Sequence, residues 1–240
     1  MLTRPAAAAA ALVLLGTLAA CGTEEPETQS DPVATEEGTD GTDGTSGDSG
    51  VSADDECSYP TDGSEPAKSV DPPAGDPTVS GEVVVTMDTS AGELTATLDA
   101  DRTPCTVNNF VSLAEQDWFA DTECHRLVTA GIYVLQCGDP TATGTGGPGY
   151  TIPDEVDGTE TYGPGTLAMA KTQMPDSGGS QFFIVYDDSP LPPQYTVFGQ
   201  VDEDGVSAVA DVAADGSDER NGPGDGYPST PVEISGVSVG

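Results

Sequence analysis

An arginine and two glutamines stand inside runs that otherwise look like buried strands. Arg126 lies within CHRLV (Cys124–Val128), Gln136 within IYVLQCGD (Ile132–Asp139), and Gln181 opens QFFIVY (Gln181–Tyr186), which adds Phe182 and Phe183. An unpartnered guanidinium removed from water is very costly, so Arg126 needs an internal partner or a ligand. The nearby loops TGTGGPGY (Thr143–Tyr150) and SGGSQFF (Ser177–Phe183) are dense in glycine, which lets another backbone approach closely. One cation, two amides and several apolar or aromatic side chains suit an uncharged, extended peptide better than a phosphate or a metal. The competing reading is that Arg126 and Gln136 merely satisfy internal polar groups. His125 is the one histidine of the chain. It cannot supply a multi-histidine metal site, and any Ser/His or Cys/His mechanism would have to run through it. No metal and no cofactor are expected.

The elements that would position these residues are mostly short strands. Glu82–Asp88 and Glu93–Asp99 are β-branched, roughly alternating, and flank Thr89-Ser90-Ala91-Gly92, which predicts a hairpin. Val107, Phe110, Val111 and Ala114 have the spacing of an amphipathic helix, with Thr103 as its N-cap and Pro104 in its first turn. Further strands are expected at Cys124–Val128, Ile132–Cys137, Thr166–Ala170, Gln181–Tyr186, Tyr195–Val201 and Val232–Val239, and a second helix at about Gly205–Ala213. About eight strands, two helices and Gly-rich connections predict a mainly β fold: a closed antiparallel β-barrel with helices covering its ends.

Charge and composition bound the rest. The 240 residues carry 6 basic against 42 acidic side chains, a net −36, with 30 Gly and 20 Pro. So acidic a surface repels phosphate backbones and anionic headgroups, which excludes nucleic acid and electrostatic membrane docking. The Gly and Pro content argues against a helical bundle. Residues 1–20 hold Arg4 and an apolar stretch from Ala6 to Ala20, the length of a signal-peptide core. Leu18-Ala19-Ala20-Cys21 resembles the bacterial lipoprotein box. That resemblance implies cleavage before Cys21, acylation of Cys21, and an extracytoplasmic protein held on the cell membrane by its acyl chains. Residues 21–80, with the low-complexity GTDGTDGTSGDSG (Gly38–Gly50), read as an acidic, extended tether whose last part from Glu56 could lie against the domain. Residues 81–240 are one domain by size, expected to be monomeric.

With Cys21 lipidated, Cys57, Cys105, Cys124 and Cys137 remain, and an exported chain would pair them in two disulfides. Four cysteines allow three connectivities. Cys124 and Cys137 bracket two adjacent strand candidates, which favours that pair and leaves Cys57 with Cys105, without excluding the other two.

A set of blocks in fixed order then narrows the reading. HR (His125-Arg126), QCGDP (Gln136–Pro140), TGTGGPGY, GPGTLAMA (Gly163–Ala170), GGSQFFI (Gly178–Ile184) and YTVFGQV (Tyr195–Val201), with PCTVNNF (Pro104–Phe110) before them, resemble the cyclophilins. The resemblance covers essentially all of residues 81–240. It implies a peptidyl-prolyl cis-trans isomerase on an eight-stranded barrel capped by two helices, assisting the folding of exported proteins through their proline-containing segments. It assigns Arg126 as the catalytic arginine, Gln136 as the pocket glutamine and Phe183 as the floor under the proline ring. Ala170 and Gln181 match substrate contacts, and Leu191 an apolar wall. Tyr133 and Val134 stand where phenylalanine and methionine are usual, Tyr195 where histidine is frequent, and Pro190 where a tryptophan is familiar. The link from Arg126 to Gln136 is about two residues longer than is common in the family.

The implied chemistry needs no proton transfer. A peptide bond resists rotation by roughly 18–20 kcal/mol because the nitrogen lone pair is shared with the carbonyl. At the twisted transition state that sharing is lost and the proline nitrogen becomes a hydrogen-bond acceptor. A guanidinium aimed at it binds the twisted form better than either planar isomer, which is what catalysis requires. His125 is then expected to be structural, its ring satisfying a buried backbone group. The alternative function is a non-catalytic chaperone or scaffold that grips Pro-peptides on the same fold.

Overall fold

The structure, a computed structural model, describes residues 56–240; the signal segment, Cys21 and the tether as far as residue 55 lie outside the described residues. The chain forms β1 (Glu82–Thr89), β2 (Gly92–Asp99), α1 (Pro104–Glu115), β3 (Thr122–Glu123), β4 (Arg126–Ala130), β5 (Ile132–Cys137), β6 (Thr166–Met169), β7 (Phe182–Val185), β8 (Val197–Val201), α2 (Glu203–Ala214), β9 (Asp225–Gly226) and β10 (Glu233–Val239). All pairings are antiparallel, in the order β3-β10-β1-β2-β8-β6-β7-β5-β4-β9. The expected eight strands and two helices are present. The ladder is not closed, however: it curls as a half-barrel whose edges are the two-residue strands β3 and β9. Strand boundaries shift slightly, β4 beginning at Arg126 and β8 at Val197.

Alternation along the strands sorts the side chains. Leu98, Leu127, Leu135, Leu167, Phe182 and Ile184 face the main core, where Phe110 stacks on Phe119 at 4.9 Å and meets Phe182 at 5.5 Å. Their neighbours Val128, Val134, Ala168, Phe183 and Val185 form a second apolar cluster, on which Ile132, Ala170, Leu191, Tyr195 and Val197 pack. The period of two thus gives this sheet two apolar faces, one of them under the site.

α1 starts where the spacing placed it, but Thr103 does not cap it with its side chain. The Thr103 hydroxyl donates back to the Asp99 carbonyl at 3.0 Å. The cap comes from Glu155, 50 residues away, whose carboxylate accepts from the Cys105 and Thr106 amides at 2.9 and 2.8 Å. Burial raises the Glu155 pKa, the bonds from Thr106 and Cys105 opposing it. α2 is capped conventionally, the Asp202 side chain accepting from the Gly205 amide at 2.8 Å.

Both disulfides follow the favoured pairing, Cys57–Cys105 and Cys124–Cys137. The first fixes residues 56–80, the last part of the expected tether, against the domain. Asn108 on α1 donates to the Tyr59 hydroxyl and the Ala74 carbonyl, both at 3.0 Å, and the Lys68 ammonium donates to the carbonyls of Asp117, Trp118 and Ala120 just past α1. Among the described residues no helix is long and apolar enough to cross a membrane.

Candidate active site

A small cavity of about 160 Å³ opens on the outer face of the sheet, lined by Arg126, Ile132, Val134, Gln136, Ala170, Lys171, Phe183, Leu191 and Tyr195. Seven of the residues expected at the site therefore converge: Arg126, Val134, Gln136, Ala170, Phe183, Leu191 and Tyr195. Cross-strand register brings them together. Arg126 is directly opposite Gln136, and Gln136 is opposite Phe183. The Phe183 and Tyr195 rings meet edge to face at 5.5 Å, and the Tyr162 hydroxyl holds the Tyr195 segment by donating to its carbonyl and accepting from its amide, each at 3.0 Å.

Tyr133 is a correction. On β5 Ile132, Val134 and Gln136 share one face, so Tyr133 points away from the cavity and packs against Tyr186 at 5.9 Å. Ile132 takes its place. Gln181 lines an adjoining, larger cavity of about 380 Å³ that shares Gln136, Ala170 and Lys171 with the small one.

Arg126 has an internal partner after all, and it coexists with an open cavity. Asp225 on β9 accepts from Arg126 Nε at 2.9 Å and Nη2 at 2.7 Å. Nη1 faces Gln136 Oε1 at 3.5 Å, the far limit of a hydrogen bond. The Asp225 hydrogen bonds raise the Arg126 pKa against its partial burial, and the same bonds lower that of Asp225. A guanidinium has five N–H donors, so two remain for a ligand after these contacts.

The amides are oriented by the loop beyond them. The Asp139 carboxylate accepts from the amides of Thr141, Gly144 and Gly146 at 2.7, 2.7 and 3.0 Å. A Cβ at Gly146 would lie 2.0 Å from Asp139 Oδ1, so this position requires glycine. Burial alone would raise the Asp139 pKa, but the hydrogen bonds it accepts outweigh that and lower it. Gln181 Nε2 donates to the Gly144 and Gly146 carbonyls, which turns its Oε1 toward Gln136 Nε2 at 2.9 Å. The Gln136 oxygen is thereby left facing Arg126.

His125 is structural, but its ring does not make the expected hydrogen bond to a buried backbone group. It is buried, 5% exposed, yet neither ring nitrogen reaches a hydrogen-bond partner among the described residues. Burial pushes its pKa down, the nearby Asp139 charge opposing this. Its place is set instead by its backbone amide, which donates to the Gln136 carbonyl at 3.0 Å.

Residues 84–239 match the sequence profile of the family described as cyclophilin type peptidyl-prolyl cis-trans isomerase. The chain belongs to that family. It is 44% identical over 199 residues to the probable peptidyl-prolyl cis-trans isomerase B of Mycobacterium leprae, covering 76% of this chain and 66% of the relative. It is 43% identical over 196 residues to the protein of the same name from Mycobacterium tuberculosis, covering 75% and 63%. The chain thus spans just under two thirds of these mycobacterial relatives. A cyclophilin from Cryptosporidium parvum, solved in the presence of the dipeptide Ala-Pro, superimposes with a TM-score of 0.57 at 29% identity, covering 65% of this chain and 98% of its own.

Asp225, Ile132 and Lys171 were not foreseen at the site. Strict alternation through Val134 and Gln136 is the signal that would have found Ile132.

Proposed function

We propose that this cyclophilin is a peptidyl-prolyl cis-trans isomerase acting on X-Pro bonds of exported proteins, anchored outside the cytoplasm through acylated Cys21. The observation that carries the reading is the forked Arg126 guanidinium held beside an apolar cavity floored by Phe183. At about 160 Å³ the cavity is below the roughly 300–1,000 Å³ of sites for drug-sized ligands, and suits a single ring. The relative solved in the presence of Ala-Pro and the family profile support a proline ring as its occupant.

In this reading Phe183, Val134, Ile132 and Leu191 grip the ring while the acyl side of the bond turns. The free N–H groups of Arg126 meet the proline nitrogen as its lone pair localises in the twisted state, and the ion pair with Asp225 keeps the guanidinium from swinging away. Gln136, its donor and acceptor ends fixed by Gln181 and Arg126, holds the neighbouring backbone. The Arg126 hydrogen bond strengthens toward the twisted geometry, the condition for a rate gain, while the ring contacts hold one side of the bond still.

The test is a protease-coupled assay on the detergent-solubilised full chain with an Ala-Pro-containing peptide. Acceleration by wild type and its loss in Arg126→Ala support the reading. Binding of the peptide without acceleration would make the protein a Pro-peptide holdase instead. The anchor is tested separately by radiolabelled palmitate incorporation, which Cys21→Ser should abolish.

A further inference from the structure

The family profile begins at residue 84, yet one residue lining the larger cavity, Asp62, comes from the segment before it. Residues 57–67 run along the loop 147–151. The Thr151 amide donates to the Pro60 carbonyl at 2.9 Å, the Asp62 amide to the Gly149 carbonyl at 3.1 Å, and the Ala67 amide to the Gly147 carbonyl at 2.9 Å. Thr61 forms an isolated bridge with Tyr150, and the Cys57–Cys105 disulfide closes the upstream end. Asp62 therefore has fixed backbone on both sides, and it is one of the residues that line the cavity.

The charge facing that cavity is asymmetric. Lys171 also lines it, but its ammonium is spent on Asp154 at 2.5 Å, with the Lys171 side chain 11% exposed. Asp62 is exposed, and among the described residues the one hydrogen bond its carboxylate accepts is from the Ser64 amide at 2.7 Å. The remaining lining residues are uncharged. The small and large cavities share Gln136, Ala170 and Lys171, so a peptide with its proline in the first carries a flanking side chain into the second.

We propose that Asp62, delivered by this disulfide-pinned strap, makes the larger cavity a subsite for a Lys or Arg side chain flanking the isomerised proline. The proposal rests on the reading of the small cavity as a proline site, and it assigns the strap to the substrate-binding surface.

The experiment uses the detergent-solubilised full chain and peptides sharing one Ala-Pro core, with Lys, Ala or Glu placed in turn at each of three positions on either side. At low ionic strength one position should show kcat/KM for Lys about three- to ten-fold above Glu, with Ala between, as expected for an exposed carboxylate meeting opposite charges. Asp62→Asn should bring that ratio close to one, and added salt should shrink it in wild type. Asp211→Asn, which removes an equal charge from the exposed face of α2, should leave the ratio standing. A wild-type ratio near one at every position, or equal collapse in both variants, overturns the proposal. Fluorescence anisotropy on the same peptides reads the preference without turnover. Failure of the proline-site reading would appear as no acceleration of any peptide, whereas failure of the subsite alone would appear as acceleration without charge preference.

Discussion

Arg126 and Asp225 are joined at two points across 99 residues of chain, Nε to Oδ1 at 2.9 Å and Nη2 to Oδ2 at 2.7 Å. Sheet register makes this possible: β9 pairs with β4 so that Asp225 lies opposite Val128, two residues along the same face from Arg126. The fork fixes the plane of the guanidinium, which a single contact would leave free to rotate. Asp225 is a positioning residue in this arrangement. Asp225→Asn should lower kcat/KM by about 5- to 30-fold with KM little changed, since charge-assisted hydrogen bonds contribute roughly 1.5–3 kcal/mol and this pair is part exposed. Arg126→Ala should cost roughly 100-fold or more. Arg126→Lys should rescue little, because a lysine cannot form the fork. A variant that lost Asp225 and kept full kcat would remove it from the mechanism.

Gln181 acts one step further out. Its amide nitrogen is held by two loop carbonyls, so its oxygen has a fixed direction, and Gln136 inherits it. Gln181→Glu replaces the donor with a second acceptor, repels both carbonyls and frees Gln136 to flip. We expect a drop of about 10-fold in kcat/KM, near one tenfold step per 1.4 kcal/mol, with thermal stability changed little. An unchanged rate would show that the orientation of Gln136 is immaterial.

The pH dependence follows from the same contacts. Asp225 has its pKa lowered by the bonds from Arg126, so its contribution to stability and to Arg126 placement is present above the unfolded aspartate value of about 3.9 and is lost as pH falls through its lower folded value. Burial keeps His125 below its ordinary range of about 6.5, and the bonds to Asp225 hold Arg126 above its own. The kcat/KM profile, followed by exchange NMR on an Ala-Pro peptide, should be flat from about pH 6.5 to 9 and fall only in strong acid. An inflection near neutrality that disappears in His125→Gln would contradict this.

How far the sequence could carry these conclusions depended on whether a signal was local. Arg126, Gln136 and Gln181 stand out locally as polar residues at or inside apolar runs, and the resemblance to the cyclophilins is what joined them with Phe183 in one site. The family resemblance put Tyr133 in the cavity, whereas strict alternation along the strand gives that face to Ile132, Val134 and Gln136. Asp225 sits in NGPGDGYP, a stretch with no periodicity, and its partner is set by a two-residue strand. Glu155 caps α1 from a loop, where a helix reading looks only at adjacent residues such as Thr103. The strap reads as linker by composition because its hold on the domain is made of backbone bonds and one disulfide, and Cys57 is its only local sign.

The two disulfides should fail differently. Cys124–Cys137 closes 13 residues that contain both Arg126 and Gln136, and its sulfurs lie in the main core. Loop closure alone predicts about 3 kcal/mol, so Cys124→Ala with Cys137→Ala should lower Tm by roughly 6–12 °C and reduce kcat as the β4–β5 end loosens. Cys57–Cys105 closes 48 residues and would by the same relation contribute about 4 kcal/mol if its loss were felt globally. Its upstream arm can instead leave the surface by itself, because what remains is a few backbone bonds to residues 147–151, side-chain hydrogen bonds at Tyr59, Lys68, Asp71, Ala74 and Thr78, and the part-buried packing of Tyr59, Ala67, Val70 and Val79. The expected result for Cys57→Ala with Cys105→Ala is local: rapid proteolysis and amide exchange within residues 57–80, with a smaller Tm loss than in the other pair. Equal global destabilisation with the strap still protected would show that the segment is held by the domain and not by its disulfide.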